Sequence, residues 1–245
     1  MPFPDTKLLH QFVAQFACRI PIRKQLLPAE KKALENVLRD MDPDFFQLFE
    51  DPTTSSVSSL YQVSRQYVLG ASTVTMPSFI FSNNSVTLLY PVKIAGNYIS
   101  RDRKLETSEQ NKKMADRLFA IQNAFKNLKY QRAGKIFELV LGPFHKEDKK
   151  KLFGKLFSLG LEEIGEINLT FAKHQEHNSS IYNLQTIINY QQSTLEDSFH
   201  IAIRVDINNR QLVDSLEPSQ VLGIWNLADS AIWDHLENTI VIEHT

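Results

Sequence analysis

The sequence predicts an α+β fold, in which mainly antiparallel sheet is covered on one face by three to four helices. Predicted strands come in consecutive groups separated by single helices, in the order β-α-β-β-β-α-β-α-β-β-β-α. Such grouping favours antiparallel sheet over a doubly wound parallel sheet. Several of these strands also alternate an apolar and a polar face, which is typical of antiparallel sheet that packs on helices.

The length of 245 residues permits one large domain or two small ones, and we predict a single α+β domain over residues 1–245. The element order also divides into two similar halves, 1–130 and 131–245, which would be ferredoxin-like. No residue-level repeat relates the halves, so their similarity rests on the order of elements alone. A chain of this length buries roughly 70–75% of the surface that its unfolded form exposes, and it needs no disulfide or metal to fold.

The first half begins with a predicted strand and a predicted helix. LLHQFVAQFACRIPI alternates over residues 8–22 and predicts a half-buried strand that carries Phe16 inward and continues to Ile22. Pro28 suits the first position of a helix, whose apolar stripe ends at Met41. DPDFFQLFEDPTTSSVSS then predicts a loop, with at most one helical turn around 45–49.

A meander of strands follows the loop. The predicted strands cover 61–69, 72–82 and 85–94. Asn83 and Asn84 separate the last two strands, and they predict a tight hairpin turn because Asn tolerates positive φ.

A long helix and a central strand come next. Thr107 and Gln110 match a capping box and predict a helix start. The helix carries apolar residues at helical spacing: Met114, Leu118, Ile121, Phe125 and Leu128. GKIFELVLG, residues 134–142, is apolar on both faces apart from Lys135 and Glu138, so it predicts a central strand.

The second half repeats the alternation of helix and strands. KEDKKKLFGKLFSLG predicts a short basic helix that ends near Gly160. Three strands are predicted near 164–174, 181–191 and 198–208. Pro218 opens a last helix to about residue 238, with four residues facing inward: Leu222, Trp225, Ile232 and Leu236.

The usual catalytic and cofactor motifs are missing from the sequence. It contains no GxGxxG, GxxxxGK[ST], GxSxG or HExxH pattern. The single cysteine, Cys18, cannot form a thiolate zinc site and lies among apolar residues, where a thiol is inert. His174 and His177 would be metal ligands only if they faced one point, and two solvated histidines are the preferred interpretation. We therefore predict no catalytic, cofactor-binding or metal-binding residues and no enzymatic activity.

The cellular compartment is predicted from the same composition. One cysteine excludes an internal disulfide and favours a reducing compartment. MPFPDTKLLHQ has two early prolines and no long apolar core, unlike a signal peptide. The apolar runs are too short to span a bilayer. The sequence predicts a cytoplasmic protein without membrane contact.

The strand FHIAIRVDIN, residues 199–208, carries the most regular alternation in the chain. Its polar face contains His200, Arg204 and Asp206. One interpretation is acid–base catalysis by these three side chains. The preferred interpretation is a sheet face that meets solvent or a partner.

Charge is distributed unevenly along the chain. Residues 93–155 contain 16 Lys+Arg and 7 Asp+Glu, a net charge of +9, whereas residues 156–245 contain 3 and 13, a net charge of −10. The lysines of the predicted basic helix, Lys149, Lys150 and Lys151, are candidate partner-binding residues. They would contact a protein partner or the acidic last third of the chain. Trp233 is a further candidate, because an aromatic residue on a helix flank can anchor an interface.

The C-terminal 50 residues resemble a known family. The aliphatic strand IRVDIN is followed by a loop and by a Pro-started helix that carries Trp225 and Trp233 and ends in LENTIVI. This pattern resembles the end of a sporadically distributed family of uncharacterised prokaryotic proteins. That family prefers Phe and Ile-Thr where this chain has Trp233 and Thr239-Ile240. The resemblance implies an accessory role, for example in a mobile or defence locus, and it contributes no catalytic residues.

Three functional hypotheses follow from the sequence. The leading one is a non-enzymatic cytoplasmic protein that binds another protein. The alternative is an RNA-binding module with tandem ferredoxin-like halves, as in CRISPR accessory proteins, although we expect only weak, sequence-independent nucleic-acid binding at low salt. The third is a small-molecule site between the sheet and the long helix. The oligomeric state does not follow from the sequence.

Overall fold

A single antiparallel sheet contains strands from both halves of the chain. The computed structural model describes residues 9–23, 25–41, 47–49, 59–69, 72–94, 104–125, 128–145, 147, 166–177, 180–192 and 198–239. Within them the strands are β1 (Leu9–Arg19), β2 (Gln47–Phe49), β3 (Ser59–Leu69), β4 (Ser72–Ser82), β5 (Ser85–Ile94), β6 (Arg132–His145), β7 (Glu166–His177), β8 (Ser180–Gln192) and β9 (Ser198–Asn209).

The strand order places the two halves side by side. The order is β2-β3-β4-β5-β1-β6-β9-β8-β7, and every neighbouring pair is antiparallel. The first strand of each half pairs with the last strand of its meander, and β1 pairs with β6 across the boundary between the halves. A ferredoxin-like unit has the element order β-α-β-β-α-β. Here four consecutive strands, β2 to β5, precede the second helix of the first half, so that part of the prediction is not confirmed.

The described helices all lie on one face of the sheet, as predicted. They are α1 (Pro28–Met41), α2 (Lys104–Ala124) and α3 (Pro218–Thr239). Helix α3 packs on β6 and β9, and α2 packs against both α1 and α3. The α+β class with helices on one face is therefore confirmed.

The core fills the space between this helical layer and the sheet. Alternate residues of the strands point into one cluster, which includes Phe16, Val205 and Ile207, each no more than 1% exposed. Trp225 of α3 is fully buried and meets the ring of Phe16 edge-on, with 5.0 Å between ring centroids. Phe125, 3% exposed, stacks on Phe81 at 5.5 Å. The predicted core positions of Phe16 and Phe125 are confirmed.

Several local predictions are confirmed by the backbone. Helix α1 begins at Pro28, and Asn83-Asn84 forms the bend between β4 and β5. The hydroxyl of Ser82 supports this bend, because it accepts a hydrogen bond from the Ser85 amide at 3.0 Å. Cys18 is buried within the core, and burial raises the pKa of its thiol well above the ordinary value.

Other local predictions are wrong. Helix α2 begins at Lys104, so Thr107 lies inside the helix and not at its cap. Residues 47–49 form a short strand where a loop with a helical turn was predicted. Ile22 was predicted to continue the first strand, but it lies beyond the end of β1 at Arg19 and is 76% exposed. The predicted basic helix lies outside the described residues, apart from position 147.

Candidate functional site

The polar side chains predicted on β9 lie on the face of the sheet opposite the helices, which we call the outer face. His200 and Asp206 are partly buried there, and Arg204 is exposed. A guanidinium nitrogen of Arg204 is 2.7 Å from a carboxylate oxygen of Glu138 on β6. Both side chains are more than a third exposed, so this ion pair adds little stability.

The spacing along β9 separates His200 from Asp206. Six residues of extended strand correspond to about 20 Å, so these two side chains do not share a proton. The carboxylate of Asp206 instead accepts a hydrogen bond from the side-chain amide of Asn208 at 2.8 Å. The three predicted residues therefore lie on one face but do not form one acid–base site.

A cleft of about 290 Å³ opens on the outer face across β5, β1, β6 and β9. Strand pairing explains its shape. Ala17 lies opposite Gly134, and Gly134 lies opposite Asn208, so small residues form the floor. Larger side chains flank this floor on both sides, two residues away along each strand. Arg19 and Arg132 lie on one side, and Gln15, Ile136 and Asp206 lie on the other side. We call this site the arginine cleft, because Arg19, Arg132 and Arg204 all line it.

Two arginines of the arginine cleft are directly opposed. Arg19 on β1 pairs with Arg132 on β6, and both side chains line the cleft. Like charges directly opposite each other in a sheet are destabilising. Neither guanidinium has an ion-pair partner in the part of the chain that the structure describes. The geometry therefore concentrates positive charge where an external anion would relieve the repulsion.

Asn208 lines the arginine cleft with an unsatisfied acceptor. The residue is 4% exposed, and its Oδ1 is buried without a hydrogen-bond partner. The carboxylate of Asp206 accepts only, so the amide nitrogen of Asn208 must face it and Oδ1 must face elsewhere. Gly134 makes this position possible, because a Cβ on residue 134 would lie 2.8 Å from the Cβ of Asn208. A buried acceptor without a donor costs about 1–3 kcal/mol.

The arginine cleft contains residues that were not predicted from the sequence. Gln15 and Arg19 alternate with the buried residues of β1, which is a signal that the sequence does contain. Arg132 and Asn208 join them only through strand pairing. Arg19 and Arg132 are 113 residues apart, and Gly134 and Asn208 are 74 residues apart, so no local pattern specifies this pairing.

The other predicted partner-binding residues are not placed at the cleft. Lys149, Lys150 and Lys151 lie outside the described residues. Trp233 lies on α3, and its side chain is likewise outside the described part. His174 lies exposed on β7, and the side chain of His177 on the same strand is outside the described part. No group of three or more potential metal ligands occurs among the described residues.

A second polar cluster lies in the core and was missed by the sequence analysis. Lys135, which was counted with the basic segment, is fully buried on β6. Its Nζ donates to Asp229 of α3 at 2.5 Å and to Asn111 of α2 at 2.8 Å. Asn111 also donates to Asp229 at 2.6 Å and to Asn226 at 2.8 Å. Burial lowers the pKa of Lys135, and the Asp229 carboxylate counteracts this effect.

Comparison with known protein families, curated proteins and solved structures found no match. Among the described helices, none is both long and apolar enough to cross a membrane. The arginine cleft and the outer face around it are therefore the candidate functional site.

Proposed function

We propose that the protein is a non-enzymatic binding protein that contacts a protein partner through the arginine cleft and the surrounding outer face. The opposed pair of Arg19 and Arg132 carries this proposal. Their repulsion remains uncompensated among the described residues, and binding of an acidic partner would relieve it. Complementary charge also speeds association and selects partners.

The composition of the outer face favours a protein partner over RNA. Sheets that recognise single-stranded RNA usually present aromatic side chains on which bases stack. The described outer-face positions of β1, β6, β8 and β9 contain no Phe, Tyr or Trp. RNA binding remains the alternative that the experiment below distinguishes.

The proposal includes a cytoplasmic location and an accessory role. The presence of a single cysteine, Cys18, favours a reducing compartment. The accessory role in a mobile or defence locus follows from the family resemblance of the C-terminal residues, and neighbouring genes would test it.

The test is partner capture with a charge-reversed cleft. The double variant Arg19→Glu, Arg132→Glu keeps a like-charge pair and should fold as the parent does. The matched control reverses Lys112 and Lys113, which are exposed on α2. We expect a stoichiometric partner from the native host to be lost by the cleft variant and retained by the control. Equal retention by both variants would contradict the proposal.

RNA binding is tested separately by titration at two salt concentrations. We expect weak binding that disappears near physiological salt, because phosphate contacts release counterions and weaken steeply with salt. The variant with Lys149, Lys150 and Lys151 changed to Glu provides the control. Tight binding at physiological salt that either the cleft variant or the lysine variant abolishes would overturn the protein-binding proposal in favour of RNA.

A further inference from the structure

The chemistry of the arginine cleft restricts what its ligand can be. Three arginines line the cleft, and they are opposed by the carboxylate of Asp206 and by Glu138, which pairs with Arg204. The net charge is therefore +1, and the cleft arginines without an ion-pair partner among the described residues are the opposed Arg19 and Arg132. Arginine presents a planar fork that binds carboxylates and phosphates with two parallel hydrogen bonds. The ligand must therefore contain an anionic group of this kind, positioned near Arg19 and Arg132.

The size of the arginine cleft restricts the ligand further. Its volume of about 290 Å³ lies just under the range of roughly 300–1,000 Å³ for pockets that enclose drug-sized ligands. One side chain with its adjoining backbone fits this volume better than a whole nucleotide. The cleft lies on a sheet face, which an extended segment can follow.

Asp206 indicates what must accompany the anionic group. Its carboxylate lines the cleft and accepts hydrogen bonds only. A ligand that brings an N–H group can donate to this carboxylate, whereas a phosphate brings a second negative charge close to it. A peptide backbone supplies an N–H group next to each acidic side chain.

We propose that the arginine cleft binds the carboxylate of one Asp or Glu side chain in an extended segment of the partner. Arg19 and Arg132 hold the carboxylate, and a neighbouring backbone N–H of that segment donates to the carboxylate of Asp206. The inference rests on the proposed function, because it specifies which group of the protein partner enters the site.

The probe is an acetylated and amidated pentapeptide, Gly-Gly-Glu-Gly-Gly, titrated into the isotopically labelled full chain. Its matched control has Gln in place of Glu, which keeps the shape and removes the charge. We expect backbone amide NMR shifts centred on Arg19, Arg132 and Asn208. Loss of charge-assisted hydrogen bonds worth about 1.5–3 kcal/mol implies roughly tenfold or greater weakening for the Gln peptide.

Two variants separate the roles of the side chains. Arg132→Gln should weaken the Glu peptide about tenfold, because a charge-assisted contact is lost. Asp206→Leu keeps a similar volume and removes the acceptor, so it should weaken the Glu peptide relative to acetate. An unchanged ratio of the two affinities would contradict the role assigned to Asp206. Circular dichroism of each variant confirms that the fold is retained.

Inorganic phosphate provides the competing ligand. If phosphate displaces the peptide and binds more tightly, the carboxylate assignment is wrong. If partner capture depends on Arg19 and Arg132 but neither the Glu peptide nor acetate binds, this inference fails while the proposed function stands. If the peptide binds at the cleft but capture is unaffected by the cleft variant, the proposed function fails instead.

Discussion

Removal of one member of the buried Lys135–Asp229 pair should destabilise the fold strongly. The side chains are 1% and 12% exposed, and the ammonium lies 4.6 Å from the centroid of the Phe16 ring. Asp229→Leu leaves this ammonium without its counter-charge. Breaking a buried pair in this way costs about 3–5 kcal/mol. We expect a loss of this size in the free energy of unfolding, measured by urea denaturation with fluorescence and circular dichroism.

The reciprocal and double variants test whether the pair acts as a unit. Lys135→Met leaves the Asp229 carboxylate without its counter-charge. Because this carboxylate is slightly more exposed than the ammonium, the loss in the free energy of unfolding should lie near the lower end of the range of about 3–5 kcal/mol, at about 3 kcal/mol. The double variant removes both charges and leaves Asn111 short of a donor at Oδ1 and of one acceptor at Nδ2. An unsatisfied amide costs about 1–3 kcal/mol, so the double variant should be no less stable than either single variant.

Two results would refute this reasoning. The first is additivity of the single variants within about 0.5 kcal/mol, which is expected only for independent sites. The second concerns pH. In Asp229→Leu the folded-state pKa of Lys135 is depressed below the unfolded value of about 10.4. The unfolded chain therefore binds more protons than the folded chain at pH values between these two pKa values. Stability of this variant relative to the parent should therefore rise as pH increases from 7 toward 10, and a constant difference would contradict a buried ammonium.

Three further predictions concern packing and protonation. Phe125→Ala should cost about 3–5 kcal/mol in urea denaturation, because the ring is buried, and a near-neutral value would contradict its core position. Gly134→Ala should destabilise the fold by about 1–3 kcal/mol, since the new Cβ would lie 2.8 Å from that of Asn208, and its melting temperature should fall accordingly. The control is Gly223→Ala on helix α3, where a Cβ would meet open space, and this variant should be more stable by up to about 1 kcal/mol. Burial lowers the pKa of His235, so the unfolded chain binds more protons than the folded chain, and stability falls as pH decreases through about 6.5. His235→Gln should reduce this loss of stability between about pH 7.5 and 5.5. An unchanged pH profile of the melting temperature in this variant would contradict the assignment to His235.

Alternation along single strands made most of the fold predictable. Phe16 was placed in the core because period-two alternation needs only local sequence, and the same holds for the position of Arg204 on the polar face. Pro28 at the start of α1 and Asn83 at the hairpin are likewise residues whose backbone preferences act locally. The capping-box prediction at Thr107 failed because the pattern also occurs inside a helix whose start is set elsewhere.

Lys135 shows where local reasoning is insufficient. Its strand was predicted to be central from its apolar neighbours, yet a lysine on such a strand is compatible with either an exposed or a paired position. Asp229, 94 residues later, decides the outcome, because α3 brings its carboxylate within hydrogen-bond distance. The charge of a buried lysine is tolerated only when such a partner is present.

The sequence by itself determined the α+β class, the alternating faces of the strands and the membership of His200, Arg204 and Asp206 in one polar face. The tertiary structure alone decided that β1 lies beside β6, that Arg19 therefore opposes Arg132, and that Gly134 and Ala17 form the floor of a cleft. The physical reason is that alternation assigns a residue to a face, whereas a binding site depends on which strands are neighbours and in which register. Register across distant strands is set by packing of the whole sheet and helical layer.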